Sequence, residues 1–140
     1  MFFATNISYF GKFLLYLQTL INNSIKKMKY EPRFDVIFSD EVDQFLNSIP
    51  EKPREKILSN IRKSRFIIDN ELFKKLNGEI WEFRTIYNQT KYRLLAFWDK
   101  KRKKLVIVTH GFVKKTSKVS SKEIERAESI RLEYYKQNNE

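Results

Sequence analysis

The chain has 140 residues, 41% of them hydrophobic and twelve of them Phe, enough for one domain with a real core. It has no cysteine, which excludes disulfides, thiolate catalysis and Cys-based zinc sites and fits a reducing, cytoplasmic setting. One histidine and no calcium-loop spacing of acids leave no expected metal or cofactor, while 28 Lys and Arg against 17 Asp and Glu give a net charge of +11.

The first 27 residues contain no acid. Asn6, Gly11, Lys12 and Gln18 interrupt their apolar run, which makes a poor transmembrane span. There is no basic leader region and no small-residue cleavage site, so a signal peptide is not indicated and no membrane association is expected. Two readings remain: an added amphipathic helix near 9–22, or translated upstream sequence with the start at Met28. The second is favoured, with residues 1–27 an extension outside a domain spanning 28–140.

From Met28 the elements follow in order. RFDVIF alternates and predicts a strand over 33–38. Ser39 caps a short helix over 40–48, stopped by Pro50. A second helix starts near Pro53 and runs to about Ile68, with Ile57, Leu58, Ile61 and Ile68 as its apolar stripe. FKKLNG, residues 73–78, reads as a turn-forming link. Strands are predicted over 79–87, 91–98 and 104–110, joined by the short turns NQT and DKKRK as hairpins. Ser120 and Glu123 form a capping box for a last helix to about Gln137. The order β-α-α-β-β-β-α describes a small α+β domain, an antiparallel meander with helices on one face.

The basic charge is concentrated. Residues 31–90 hold 11 acids and 10 bases, whereas residues 91–122 hold 11 bases and a single acid, Asp99. A solvated surface usually mixes its signs, so this clustering points to a polyanion site. If Tyr87 pairs with Tyr92, Arg84 lies opposite Leu95 and Ile86 opposite Arg93. Glu82, Arg84, Arg93 and Phe97 then share one face, and Trp81, Phe83, Tyr87, Leu94 and Trp98 share the helix-packed face. Pairing Trp98 with Leu105 would put His110 opposite Arg93 on the open face; a one-residue slip would send it to the core. Exposed arginines often serve solubility alone, and a lone histidine at a strand end is commonly structural. The basic loops beside them favour a functional reading of the pair. Tyr134 and Tyr135 read as helix-packing residues.

FKKLNGEIWEFRTIYNQTKYRLLAFW followed by HGFVKKTSKVSSKEIERA resembles the RelE/ParE superfamily of type II toxin–antitoxin toxins, in its HigB-like, phage-derived branch. The likeness covers about residues 33–135 and rests on WEFR, YR and HGFVKKT in order. It implies a small curved antiparallel sheet packed against helices, a cognate antitoxin as partner, and entry into the ribosome to cleave mRNA by attack of the ribose 2′-OH on the adjacent phosphate. Such cleavage needs a proton removed, phosphate charge stabilised and a leaving oxygen protonated, and needs no metal. The resemblance places Arg84 and Arg93 at phosphate stabilisation and Lys114 at RNA positioning or transition-state charge. Lys74, Lys75, Lys91, Lys115 and Lys118 are the accompanying RNA-binding candidates. The general base is open between His110 and a lysine depressed by neighbouring cations. The sequence departs from RelE in having no clear counterpart of its C-terminal catalytic tyrosine. A ParE-like inhibitor of DNA gyrase and a non-catalytic RNA-binding module are the competing functions.

Overall fold

The computed structural model describes residues 9–138, side chains excepted at 27–30. The chain divides into two compact units, residues 1–31 and 32–140. The first contains helix α1 (Tyr9–Tyr30), longer than the 9–22 helix of the less favoured reading and continuous through Met28.

The second unit runs β1 (Asp35–Phe38), α2 (Asp40–Ser48), α3 (Glu51–Ser64), β2 (Phe73–Asn77), β3 (Ile80–Tyr87), β4 (Thr90–Trp98), β5 (Leu105–Lys114) and α4 (Ser121–Gln137). The α+β class and the order of the expected elements hold. One strand is added: residues 73–77 pair with β3 instead of forming a link. Phe73 decides this, because its ring stacks on Phe83 at 4.2 Å and is buried, while Asn77 and Gly78, at φ 55°, lead into the hairpin turn. The strand order is β1-β5-β4-β3-β2. Strands β2 to β5 form the antiparallel meander, and β1 lies parallel to β5 at the edge, so the sheet is mixed.

Helices cover both faces, not one. Helices α2 and α3 bury Val42, Leu46, Ile57 and Ile61 against Phe34, Phe83, Leu94, Ala96, Val106 and Val108. On the opposite face α4 places Ala127, Tyr134 and Tyr135 against Ile80, Leu95, Phe97 and Ile107. Tyr134 and Tyr135 are the packing residues expected. Helix α3 stops at Ser64, whose hydroxyl turns back to the carbonyls of Asn60 and Ile61, and the intended stripe residue Ile68 is 80% exposed.

Strand β5 runs four residues beyond its expected end, and the β4–β5 register shifts between Leu95 and Ala96. Past the shift Gly111 comes opposite Leu94, under Phe45 of α2. A Cβ at residue 111 would sit 2.3 Å from that ring. Gly111→Ala is therefore expected to lower unfolding free energy by about 1–3 kcal/mol through overpacking, read by urea titration. An unchanged midpoint would show that Phe45 moves aside freely.

Candidate functional site

The turn between β3 and β4 is the pair Asn88-Gln89, both at positive φ, so Tyr87 pairs with Thr90. Arg84 consequently lies directly opposite Arg93, and Ile86 opposite Lys91. The register differs by two residues from the expected one because the loop is two residues long, not four. A two-residue difference leaves side-chain parity intact, so Glu82, Arg84 and Arg93 do share a face.

That face is less open than expected. Arg93 is 1% exposed and Glu82 3%. Glu82 lies between the arginines, with Oε2 3.4 Å from Nε of Arg93 and Oε1 3.6 Å from Nε of Arg84. These are ion-pair distances, too long for good hydrogen bonds. Among the described residues Glu82 Oε2, Arg84 Nε and Arg93 Nε are buried without a hydrogen-bond partner. Arg93 Nη1 donates to the carbonyl of Tyr92 at 3.0 Å, and Glu71 approaches Arg84 Nη1 at 3.5 Å. Burial, then the charge of Arg84, lowers the Arg93 pKa against the pull of Glu82 and Glu71. Beside this group a cavity of about 250 Å³ is lined by Lys56, Asn60, Glu71, Arg84, Thr85 and Arg93.

Lys91 and Lys114 are paired across β4 and β5 two residues along the same face. Lys114 belongs to the strand instead of to the loop after it. Its pKa is lowered, first by burial, then by Arg93, with Lys91 and Arg84 adding to the effect and Glu82 opposing it. Lys74 stands opposite Glu82 on β2 and joins this face, whereas Lys75 pairs with Trp81 and faces the other way. Lys115 and Lys118 are exposed in the segment between β5 and α4.

His110 is not with them. The β4–β5 pairing differs from the expected one by a single residue at Trp98 opposite Val106, which alone would turn His110 into the core. The bulge at Thr109 adds a residue and restores the parity, so His110 lies opposite Leu95 beneath α4. It is 4% exposed, its Nε2 is 2.9 Å from Glu123 Oε2, and its Nδ1 is 3.0 Å from the Thr109 hydroxyl. Its ring stacks on Phe112 at 5.7 Å between centroids. Phe112, opposite Arg93, stands between His110 and Lys114 along β5. Burial lowers the His110 pKa, against the hydrogen bond that its Nε2–H donates to Glu123. A separate cleft of about 500 Å³ is lined by His110 with Glu41, Gln44, Phe45, Ser48, Phe112, Glu123 and Arg126. The expected catalytic quartet is thus split: Arg84, Arg93 and Lys114 in one group, His110 in another.

Glu123 also departs from expectation. Ser120 caps α4 by accepting from the Glu123 amide, but the Glu123 carboxylate is held by His110 instead of closing a capping box. Glu71 carried no signal in the sequence as a member of the arginine group. Among the described residues no group of three His, Cys, Asp or Glu is placed to hold a metal, and no helix is long and apolar enough to cross a membrane.

The sequence profile of the phage-derived Gp49-like family, whose function its description leaves open, matches residues 44–131, from within α2 into α4. The match spans more than half of the chain and includes Arg84, Arg93, His110 and Lys114, and the chain belongs to that family. Among solved structures it is similar to a double-arginine mutant of the E. coli toxin RelE in the free state, at 18% identity and TM-score 0.50, covering 71% of this chain and 97% of that one. It also matches the toxin–antitoxin complex RelBE2 from Mycobacterium tuberculosis at 20% identity and TM-score 0.39, over 60% of this chain and 100% of that one. The RelE likeness establishes a RelE-like fold. No curated protein sequence matches the chain.

Two outcomes follow from this geometry. Arg93→Ala deprives the buried Glu82 of one partner, and is expected to cost up to about 3 kcal/mol in urea unfolding, with Arg84 limiting the loss. Pairing it with Glu82→Gln should recover most of that cost; no recovery would mean that the charges are not coupled. For His110, the folded-state pKa lies below 6.5. As pH falls through 6.5 the unfolded chain takes up the proton first, so the linked stability is full above that pH and is lost toward the lowered folded value. His110→Gln should remove this part of the acid-side slope of the unfolding midpoint, and superimposable pH profiles would contradict it.

Proposed function

We propose that this chain is the toxin of a type II toxin–antitoxin system, acting in the cytoplasm as a ribosome-dependent mRNA endoribonuclease by metal-independent attack of the ribose 2′-OH. The observation that carries this reading is the directly cross-paired Arg84 and Arg93 with Lys91 and Lys114 beside them on one face. Four cationic groups converging on a small area suit a phosphate whose charge grows during cleavage.

Glu82 fits the same reading. In the free protein it neutralises the two guanidiniums, at distances that leave both Nε groups unsatisfied. An incoming phosphodiester supplies the hydrogen bonds that this carboxylate does not make, with Arg84, the more exposed arginine, meeting it first. Lys114 is given the proton-transfer role. A lysine depressed by burial and neighbouring cations has a larger neutral fraction near physiological pH than an ordinary one. His110 sits in the other cleft and is assigned to holding the first turn of α4 through Glu123. Lys74, Lys91, Lys115 and Lys118 guide RNA toward the arginines. A cognate antitoxin with acidic segments would cover the same face, its capture speeded by electrostatic steering that weakens with salt.

The test is induction in a host followed by mapping of mRNA ends, with cleavage on programmed ribosomes measured alongside. Protein synthesis should fail before DNA synthesis. Arg84→Ala should reduce cleavage by about 10²–10³ without unfolding the protein, as removal of one preorganised charge donor does. Arg84→Lys should recover part of that loss, since an ammonium cannot reproduce the guanidinium fork. DNA damage appearing first would instead support gyrase inhibition, and full cleavage by a folded Arg84→Ala protein would reduce this face to a binding surface.

A further inference from the structure

Helix α1 carries an exposed apolar face. Phe10, Phe13, Leu14, Leu20, Ile21 and Ile25 are 43–71% exposed. At 100° per residue these positions, with Leu17, fall within about half of the helix circumference. Lys12, Gln18, Thr19, Asn22 and Lys26 fall on the other half, interrupted there by one exposed leucine, Leu15. The first 30 residues contain four lysines and no acid.

From this we infer that α1 is an interfacial helix that lies on an anionic lipid bilayer. A helix that spans would need a longer uninterrupted apolar run, and α1 is not apolar enough. One that lies in the interface needs an apolar face with aromatic residues, a polar face bearing lysine, and no acid to be repelled by anionic headgroups. Tyr9, Phe10, Phe13 and Tyr16 supply aromatic rings over the first two turns, and Lys12 and Lys26 stand on the polar side. The charge pattern selects among occupants. A second copy would bring acid-free helices together with no counter-charge for their lysines, and the apolar face is wider than the narrow seam of a helix dimer. An anionic bilayer matches both the width and the sign.

The full chain should sediment with vesicles of phosphatidylcholine mixed with phosphatidylglycerol more strongly than with phosphatidylcholine alone. Phe13→Ser and Leu20→Ser, which change no charge, should each weaken the partition about tenfold, the loss expected when a bilayer-inserted side chain is truncated. Lys12→Gln with Lys26→Gln should reduce the preference for the anionic mixture. Lys101→Gln, in the basic loop of the second unit, should leave partition unchanged. Absence of vesicle binding overturns the inference. Binding that Phe13→Ser leaves intact also overturns it, because the basic second unit alone would then be responsible. Self-association that Phe13→Ser abolishes, seen by sedimentation equilibrium, would assign the face to a second copy, and weakened capture of an acidic protein partner without loss of vesicle binding would assign it to that partner. Ribosome-dependent cleavage by Phe13→Ser is read separately and does not bear on the lipid assignment.

Discussion

One extra residue in β5 organises the site. Thr109 adds a position against β4, so every side chain beyond it changes face relative to an unbroken ladder. Without it Val113 would take the face that Lys114 now occupies, and Lys114 would be directed toward α2 and α3. With it, His110, Phe112 and Lys114 line up beside Leu95, Arg93 and Lys91. The bulge is fastened from the other side by Ser39, whose hydroxyl donates to the Thr109 carbonyl at 2.6 Å while accepting from the Val42 amide. A single serine therefore both starts α2 and pins the irregularity that sets the face of Lys114.

The arginine group illustrates how a small fold keeps a cation inside. Arg93 is almost fully buried, and burial of an unpaired guanidinium would be prohibitive. Glu82 supplies the counter-charge, shared between Arg93 and Arg84, and Glu71 adds a second acid at the rim. The hydrogen-bonding capacity left over at the Nε atoms is what distinguishes this arrangement from a saturated structural salt bridge. The charges that hold Arg93 inside the fold thus leave guanidinium N–H groups without an acceptor among the described residues.

The elements legible in the sequence were those whose patterns are local. Ser39, Pro50 and the alternation of β3 and β4 marked their elements directly, and the face shared by Glu82, Arg84 and Arg93 survived a mistaken loop length because the error was even. The missed features depend on distant partners. Residues 73–77 look like turn chemistry until Phe73 finds Phe83, and the parallel pairing of β1 with β5 leaves no mark in either strand. The bulge at Thr109 has no composition cue; it reflects the close seat of Phe45 over Gly111 and the tie from Ser39. Burial of Arg93 was likewise unreadable, since it depends on Glu82, Arg84 and Phe112, which the strand pairing brings around it from other parts of the chain.

The edge position of β1 has a temporal meaning. Asp35 to Phe38 take their backbone partners from Leu105 to Val108, and the Ser39–Thr109 bond closes a loop of 70 residues. Long-range pairing of this kind delays folding, because closure entropy is spent before the contacts that offset it form. During synthesis β1 and α2 must wait without their strand partner until β5 has been made, whereas α3 can pack on β3 sooner. The hairpins of β2, β3 and β4 can assemble earlier, but the bulge and the lysine it directs arise only with β5, before α4 alone. The chain therefore acquires its cationic cluster as one of the final events of its own translation.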